Sequence, residues 1–169
     1  VAGAMVLLET ITADGSGTTV TFDSNIDSTY KEYIFKFISV HAQTNDANFG
    51  VNFRDGSTAY DATKTTTFFY SYNRENDAAT TLGYITGRDE AQVTGVADIN
   101  PGMGGDADQS LSGTLHLYDP SSTTFVKHFI ARSNVAEGGD VSQEVYVGGY
   151  ANVTAAIDGV QFSTSSGNL

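Results

Sequence analysis

The feature that most constrains this chain is a hydrophobic pattern with a two-residue period along almost its whole length, with hardly any helical period beside it. Such alternation turns one face of a segment to a core and the other to water, which is the geometry of a pleated strand. It marks Met5 to Thr12, Thr18 to Phe22, Tyr33 to His41, Phe49 to Arg54, Thr66 to Tyr72, Leu111 to Tyr118, Thr123 to Ser133, Val141 to Tyr150 and Ala156 to Ser163 as strands. These segments are rich in Val, Ile, Thr, Tyr and Phe, which fit a half-buried pleated surface. Between them lie turn clusters: Asp14-Gly15-Ser16-Gly17, Asp55-Gly56-Ser57, Gly102 to Asp108, Asp119-Pro120-Ser121-Ser122 and Glu137-Gly138-Gly139-Asp140.

Many strands at this spacing, without crossover helices, predict an all-β chain: an antiparallel two-sheet β-sandwich, jelly-roll-like, as a single domain over residues 1–169. The stretch from Asn73 to Asp108 is the least strand-like and reads as long loops around residues 73–108 carrying one or two short strands. Long polar loops at one end of a sandwich are a usual place for binding. The chain opens on Val1 rather than Met, so the domain is expected to be part of a longer chain.

One hairpin can be drawn in detail. Asp119 and Pro120 suit the first two positions of a type I turn. A four-residue loop would then pair Leu117 with Thr124, Leu115 with Val126, Gly113 with His128 and Leu111 with Ile130. That register gathers Leu111, Leu115, Leu117, Val126 and Ile130 on one apolar face and turns Lys127 and Phe129 to the other.

Charge narrows the partners. Eight Lys and Arg stand against 20 Asp and Glu, a formal net charge of -12 at pH 7. Clustered Lys and Arg supply nonspecific affinity for phosphate, so nucleic acid and anionic membrane surfaces are excluded as expected partners. Neutral glycans, cations and basic protein patches are electrostatically easier. No apolar run approaches the roughly 20 residues of a membrane helix, so no membrane insertion is expected. The apolar Val1 to Leu8 has no basic residues before it and is too short for a signal peptide. With no cysteine, neither a disulfide framework nor a thiolate metal site can form.

Candidate chemistry is sparse. His41, His116 and His128 each sit inside an alternating strand, with no Gly-x-Ser-x-Gly and no His-x-x-x-His, so no catalytic residue is assigned and no enzyme is expected. Calcium is the one cofactor considered: Asp106, Asp108 and Asp14 offer oxygen ligands on loops, although Asp-Gly pairs are also common turn formers. Aromatic rings can stack on the flat face of a sugar ring, and Phe68, Phe69, Tyr70, Tyr72 and Tyr84 are the candidates, with Tyr70, Tyr72 and Tyr84 the favoured ligand contacts. In Thr65 to Tyr72 one alternate set must face the core: Phe68, Tyr70 and Tyr72 share one face, Phe69 and Ser71 the other.

Several strings form an ordered set: Asn25-Ile26-Asp27-Ser28-Thr29-Tyr30 followed by Tyr33-Ile34-Phe35-Lys36-Phe37; Thr63 to Phe69; Pro120 to Ile130; and Ala156 to Phe162 leading to Ser165-Ser166-Gly167-Asn168. Together, over roughly Val6 to Asn168, they resemble a family of β-rich virion structural proteins of marine and cyanobacterial tailed phages, of tail-fibre, capsid-fibre or decoration type. The resemblance implies a non-enzymatic structural protein at the virion surface, outside the cell: a fibre or appendage module contributing to host attachment. It carries over no catalytic residue. The implied partners are other virion proteins, further copies of this chain in a homo-oligomer (a trimer, as fibres commonly are), and a host-surface glycan. Two alternatives stay open: a capsid decoration or cement protein and, in a different class, a secreted carbohydrate-binding domain.

Overall fold

The computed structural model describes residues 4–169. Val1 to Gly3, the start of the apolar opening, lie outside the described residues. Among the described residues there are 11 strands and no helix: β1 (Thr19–Phe22), β2 (Glu32–Val40), β3 (Ala47–Arg54), β4 (Lys64–Arg74), β5 (Thr80–Tyr84), β6 (Ala91–Val93), β7 (Ala97–Met103), β8 (Leu111–Tyr118), β9 (Lys127–Glu137), β10 (Val141–Ala151) and β11 (Gly159–Thr164).

All pairings are antiparallel and divide into two layers. The broad sheet runs β2-β8-β9-β10-β4-β5, with β6 beside the start of β4; the narrow sheet runs β1-β11-β3-β7. One bridge, Met103 to Glu137, links the layers at a corner. The layers face each other through aromatic rings. Phe37 of β2 meets Phe49 of β3 and Phe162 of β11 at 5.2 and 4.9 Å between centroids, and Phe53 of β3 meets Phe129 of β9 at 5.0 Å. This is an antiparallel two-sheet β-sandwich. The chain crosses repeatedly between the layers as in a jelly roll, β1, β3, β7 and β11 falling in the narrow sheet and the other strands in the broad one. The β9–β10 hairpin is inserted between β8 and β4.

Three details depart from the sequence reading. Residues 73–108 hold three strands, β5, β6 and β7, rather than one or two. β7 is buried along most of its length, but Asp98, Asn100 and Pro101-Gly102 interrupt its alternation. The expected strand from Met5 to Thr12 is not one: it forms no ladder with any of the described residues, and Met5 and Leu7 are 71% and 82% exposed. Apolar residues at successive positions mark no single face, and a strand needs a ladder partner as well as a pattern.

The third departure is the β8–β9 register. The turn after β8 forms, with the Ser122 amide donating to the Asp119 carbonyl at 3.0 Å. The chain then stays in a loop, its Phe125 amide capped by Ser122 Oγ at 3.0 Å, and β9 begins only at Lys127. Leu117 therefore faces Phe129 and Leu111 faces Val135. The shift against the expected pairing is an odd number of residues, so every β9 side chain changes face. Phe129 is fully buried and Ile130 is 53% exposed. His128 lies on the outer surface, and Gly113 packs on Ser133. Lys127 can face inward because its ammonium donates to the carbonyls of Val153, at 2.9 Å, and Ala155.

Candidate functional site on the outer face of the broad sheet

The inner face of the broad sheet is core, so its chemistry toward solvent lies on the alternate, outward positions. Pairing registers place Lys36, Thr114, Arg132, Tyr146, Phe69 and Tyr84 in one row across β2, β8, β9, β10, β4 and β5. The middle of that row is a stack. Tyr146 and Phe69 lie 4.9 Å apart with planes 7° from parallel, and the Arg132 guanidinium sits 5.3 Å from the Tyr146 centroid. Arg132 also pairs with Glu144, whose hydrogen bond holds the guanidinium above its ordinary pKa. Tyr146 is thus flanked by Arg132 on the β9 side and Phe69 on the β4 side, so the open ring surface of the row belongs to Phe69 and Tyr84, 42% and 50% exposed. Tyr84 donates to Asp89 Oδ2 at 2.7 Å, and this hydrogen bond raises the phenol above its usual range.

Beside the stack the sheet surface is open. Gly148 is the outward residue next along β10 from Tyr146, between Ile130 and Thr67. Around it lies a shallow depression of about 310 Å³ lined by Thr65, Thr66, Thr67, His128, Gly148, Gly149 and Tyr150. His128 and Tyr150 form one wall, edge to face at 5.9 Å. A Cβ on Gly148 would meet only Thr67 Oγ1, at 3.6 Å, which is ordinary contact. Packing does not demand glycine there, and a glycine inside a strand often marks a place where another molecule comes close. Its neighbour Gly149 faces inward and is demanded: a Cβ would come within 2.8 Å of the Phe129 ring and the Thr65 carbonyl. The depression therefore combines hydroxyls, an imidazole and a phenol beside exposed rings, which suits a hydroxyl-rich, uncharged ring ligand.

The expected ligand aromatics are divided. Tyr84 stands in the outer row. Tyr70 pairs with Gly83 on the opposite face, packs against the core, and stacks on Tyr72 at 6.0 Å. Phe68 is buried and Phe69 exposed, as the alternation of that run requires. The sequence reading left out Arg132, Tyr146, Gly148 and Tyr150. The last three are the positions that alternate with buried Val145, Val147 and, past Gly149, Ala151, so strand period was the signal for them.

The calcium candidates do not converge. Asp106 and Asp108 lie in an exposed turn closed by the Gln109 amide on the Asp106 carbonyl at 2.9 Å. Asp14 lies in a separate loop, its carboxyl held below the usual range by the hydroxyl and amide of Ser16. Among the described residues no three His, Asp or Glu side chains gather as a metal site. The histidines are likewise apart: His41 meets the Gln109 carbonyl at 2.8 Å, His116 meets Glu32 at 2.7 Å, and His128 lines the depression.

Comparison of the chain with protein-family models, with curated proteins and with solved structures finds no match.

Proposed function

We propose that this chain is a non-enzymatic structural module of a phage virion, a fibre or appendage domain that contributes to host attachment through the outer face of its broad sheet. The observation that carries the reading is the open surface around Gly148 beside the Arg132–Tyr146–Phe69–Tyr84 row. A rigid antiparallel sheet holds these groups in place without an induced fit, so little ordering entropy opposes contact with a ligand. The ligand class that fits is a neutral host-surface glycan: rings stack on its apolar faces, and the hydroxyls of Thr65 and Thr67 and the His128 imidazole exchange hydrogen bonds with its hydroxyls. A body of net charge -12 disfavours polyanions. Other virion proteins and further copies of the chain, as a trimer, complete the proposed assembly.

Immunogold electron microscopy of intact virions with antibody to this domain tests the reading. Label at tail or fibre tips is the expected result. Label spread over the capsid would replace it with a decoration role. Particles without label would overturn the virion assignment and leave the secreted carbohydrate-binding domain, which the same depression fits.

A further inference from the structure

Two of the few lysines are fully buried, and they are buried differently. The Lys127 ammonium meets only backbone carbonyls. Lys64, at the start of β4, meets a carboxamide. Its Nζ lies 2.5 Å from Oδ1 of Asn52 on β3, and donates also to the carbonyls of Ala62 at 3.0 Å and Thr94 at 3.5 Å. Asn52 is itself buried and held at both ends: Oδ1 accepts from the Phe53 amide at 3.2 Å, and Nδ2 donates to the Thr94 carbonyl at 3.1 Å. β3 belongs to the narrow sheet and β4 to the broad one, so the pair spans the two layers.

This geometry holds the parts of an amide exchange. Lys64 supplies a nucleophile, which burial pulls down to about 8, so an appreciable share is neutral amine at mildly alkaline pH. Asn52 supplies an electrophilic carbon fixed beside it, and water is kept out, which is where proximity is worth most. The Phe53 amide already points at the oxygen that would carry the negative charge of a tetrahedral intermediate. Glu90 and Asp61 are the carboxylates whose charge acts on Lys64, Glu90 the more strongly.

We propose that Lys64 Nζ and Asn52 Cγ join in an intramolecular isopeptide bond that ties the two sheets of the sandwich. The free amine, in equilibrium with the ammonium, attacks Cγ. The intermediate collapses with breakage of the Cγ–Nδ2 bond. Nζ gives up two of its three hydrogens in all; Nδ2 gains two and leaves as ammonium, so charge is conserved and nothing is oxidised or reduced. In a chain without cysteine the bond supplies the covalent constraint on the unfolded state that a disulfide gives elsewhere.

Intact mass spectrometry of the purified, denatured protein decides the matter. The expected mass is lower than the sequence mass by one ammonia, with trypsin failing to cut after Lys64 and the peptide ending at Arg54 travelling linked to the one spanning Lys64. Lys64→Arg and Asn52→Ala should each restore the full mass of their own sequences. A wild-type protein at its full sequence mass, or an ammonia lost elsewhere in the chain, overturns the bond. None of these outcomes depends on where the domain sits on a particle or what it binds.

Discussion

Tyr146 lies flat against Phe69, their centroids 4.9 Å apart, although they stand on strands far apart in the chain, β10 and β4. The contact is made outside the core, on a sheet surface facing solvent, and Arg132 closes its other side. Its stability contribution comes from cross-strand stacking and from a cation held over a ring face. Tyr146→Ala should therefore lower stability by about 1–2 kcal/mol in urea unfolding. A double-mutant cycle with Phe69→Ala should return a coupling of about 0.5–1.5 kcal/mol. Additive single effects would mean that the rings are neighbours without being partners.

Gly148 and Gly149 are adjacent in sequence and opposite in consequence. Gly148→Val adds a β-branched side chain to open space, so the melting temperature should hold or rise, while retention on an immobilised neutral glycan falls by about tenfold or more. Gly149→Val drives the same atoms into Phe129 and the Thr65 carbonyl and should cost about 1–3 kcal/mol or more. Glycan binding unchanged by Gly148→Val would remove the depression from the attachment reading.

The β8–β9 register can be checked by two neighbouring substitutions. Phe129→Ala empties a core position against Phe53 and should cost about 3–5 kcal/mol. Ile130→Thr, on the outer face, should stay within about 0.5 kcal/mol of wild type. The four-residue hairpin expected from sequence predicts the reverse order, so thermal or urea unfolding of the two variants distinguishes the registers.

Acid should at first stabilise this protein. Burial raises the carboxyls of Glu90, Asp98 and Glu137 in the fold, for Asp98 against the opposing pull of Arg88. A raised carboxyl binds its proton in the folded chain at a pH where the unfolded chain has released it. Stability from these groups therefore grows as pH falls through their folded values and levels off below their unfolded ones. Relief of net negative charge works in the same direction. Calorimetry should find a higher melting temperature near pH 5 than near pH 7, at roughly constant ionic strength. Steady loss of stability over that interval would mean that these buried carboxyls do not govern it, since the lowered carboxyls of Asp14 and Asp27 give up their contribution only as pH falls below their ordinary value of 3.8.

Much of the architecture was already legible in residue order. A two-residue period states which way each side chain points from its own strand. It therefore carried the all-β class, the sandwich and the opposite faces of Phe68 and Phe69. The same period, applied to Val141–Ala151, points Tyr146, Gly148 and Tyr150 outward together. What it does not state is which strand lies alongside. The β8–β9 register turned on a loop that continued past its turn and on Lys127 finding carbonyls inside. The row from Lys36 to Tyr84 is assembled from six strands, and the Lys64–Asn52 pair from two sheets. Alternation is a local property of the chain, set by backbone geometry at each residue. Adjacency between strands is decided only when loop closure and core packing choose one arrangement of layers, and both proposed sites lie at such adjacencies.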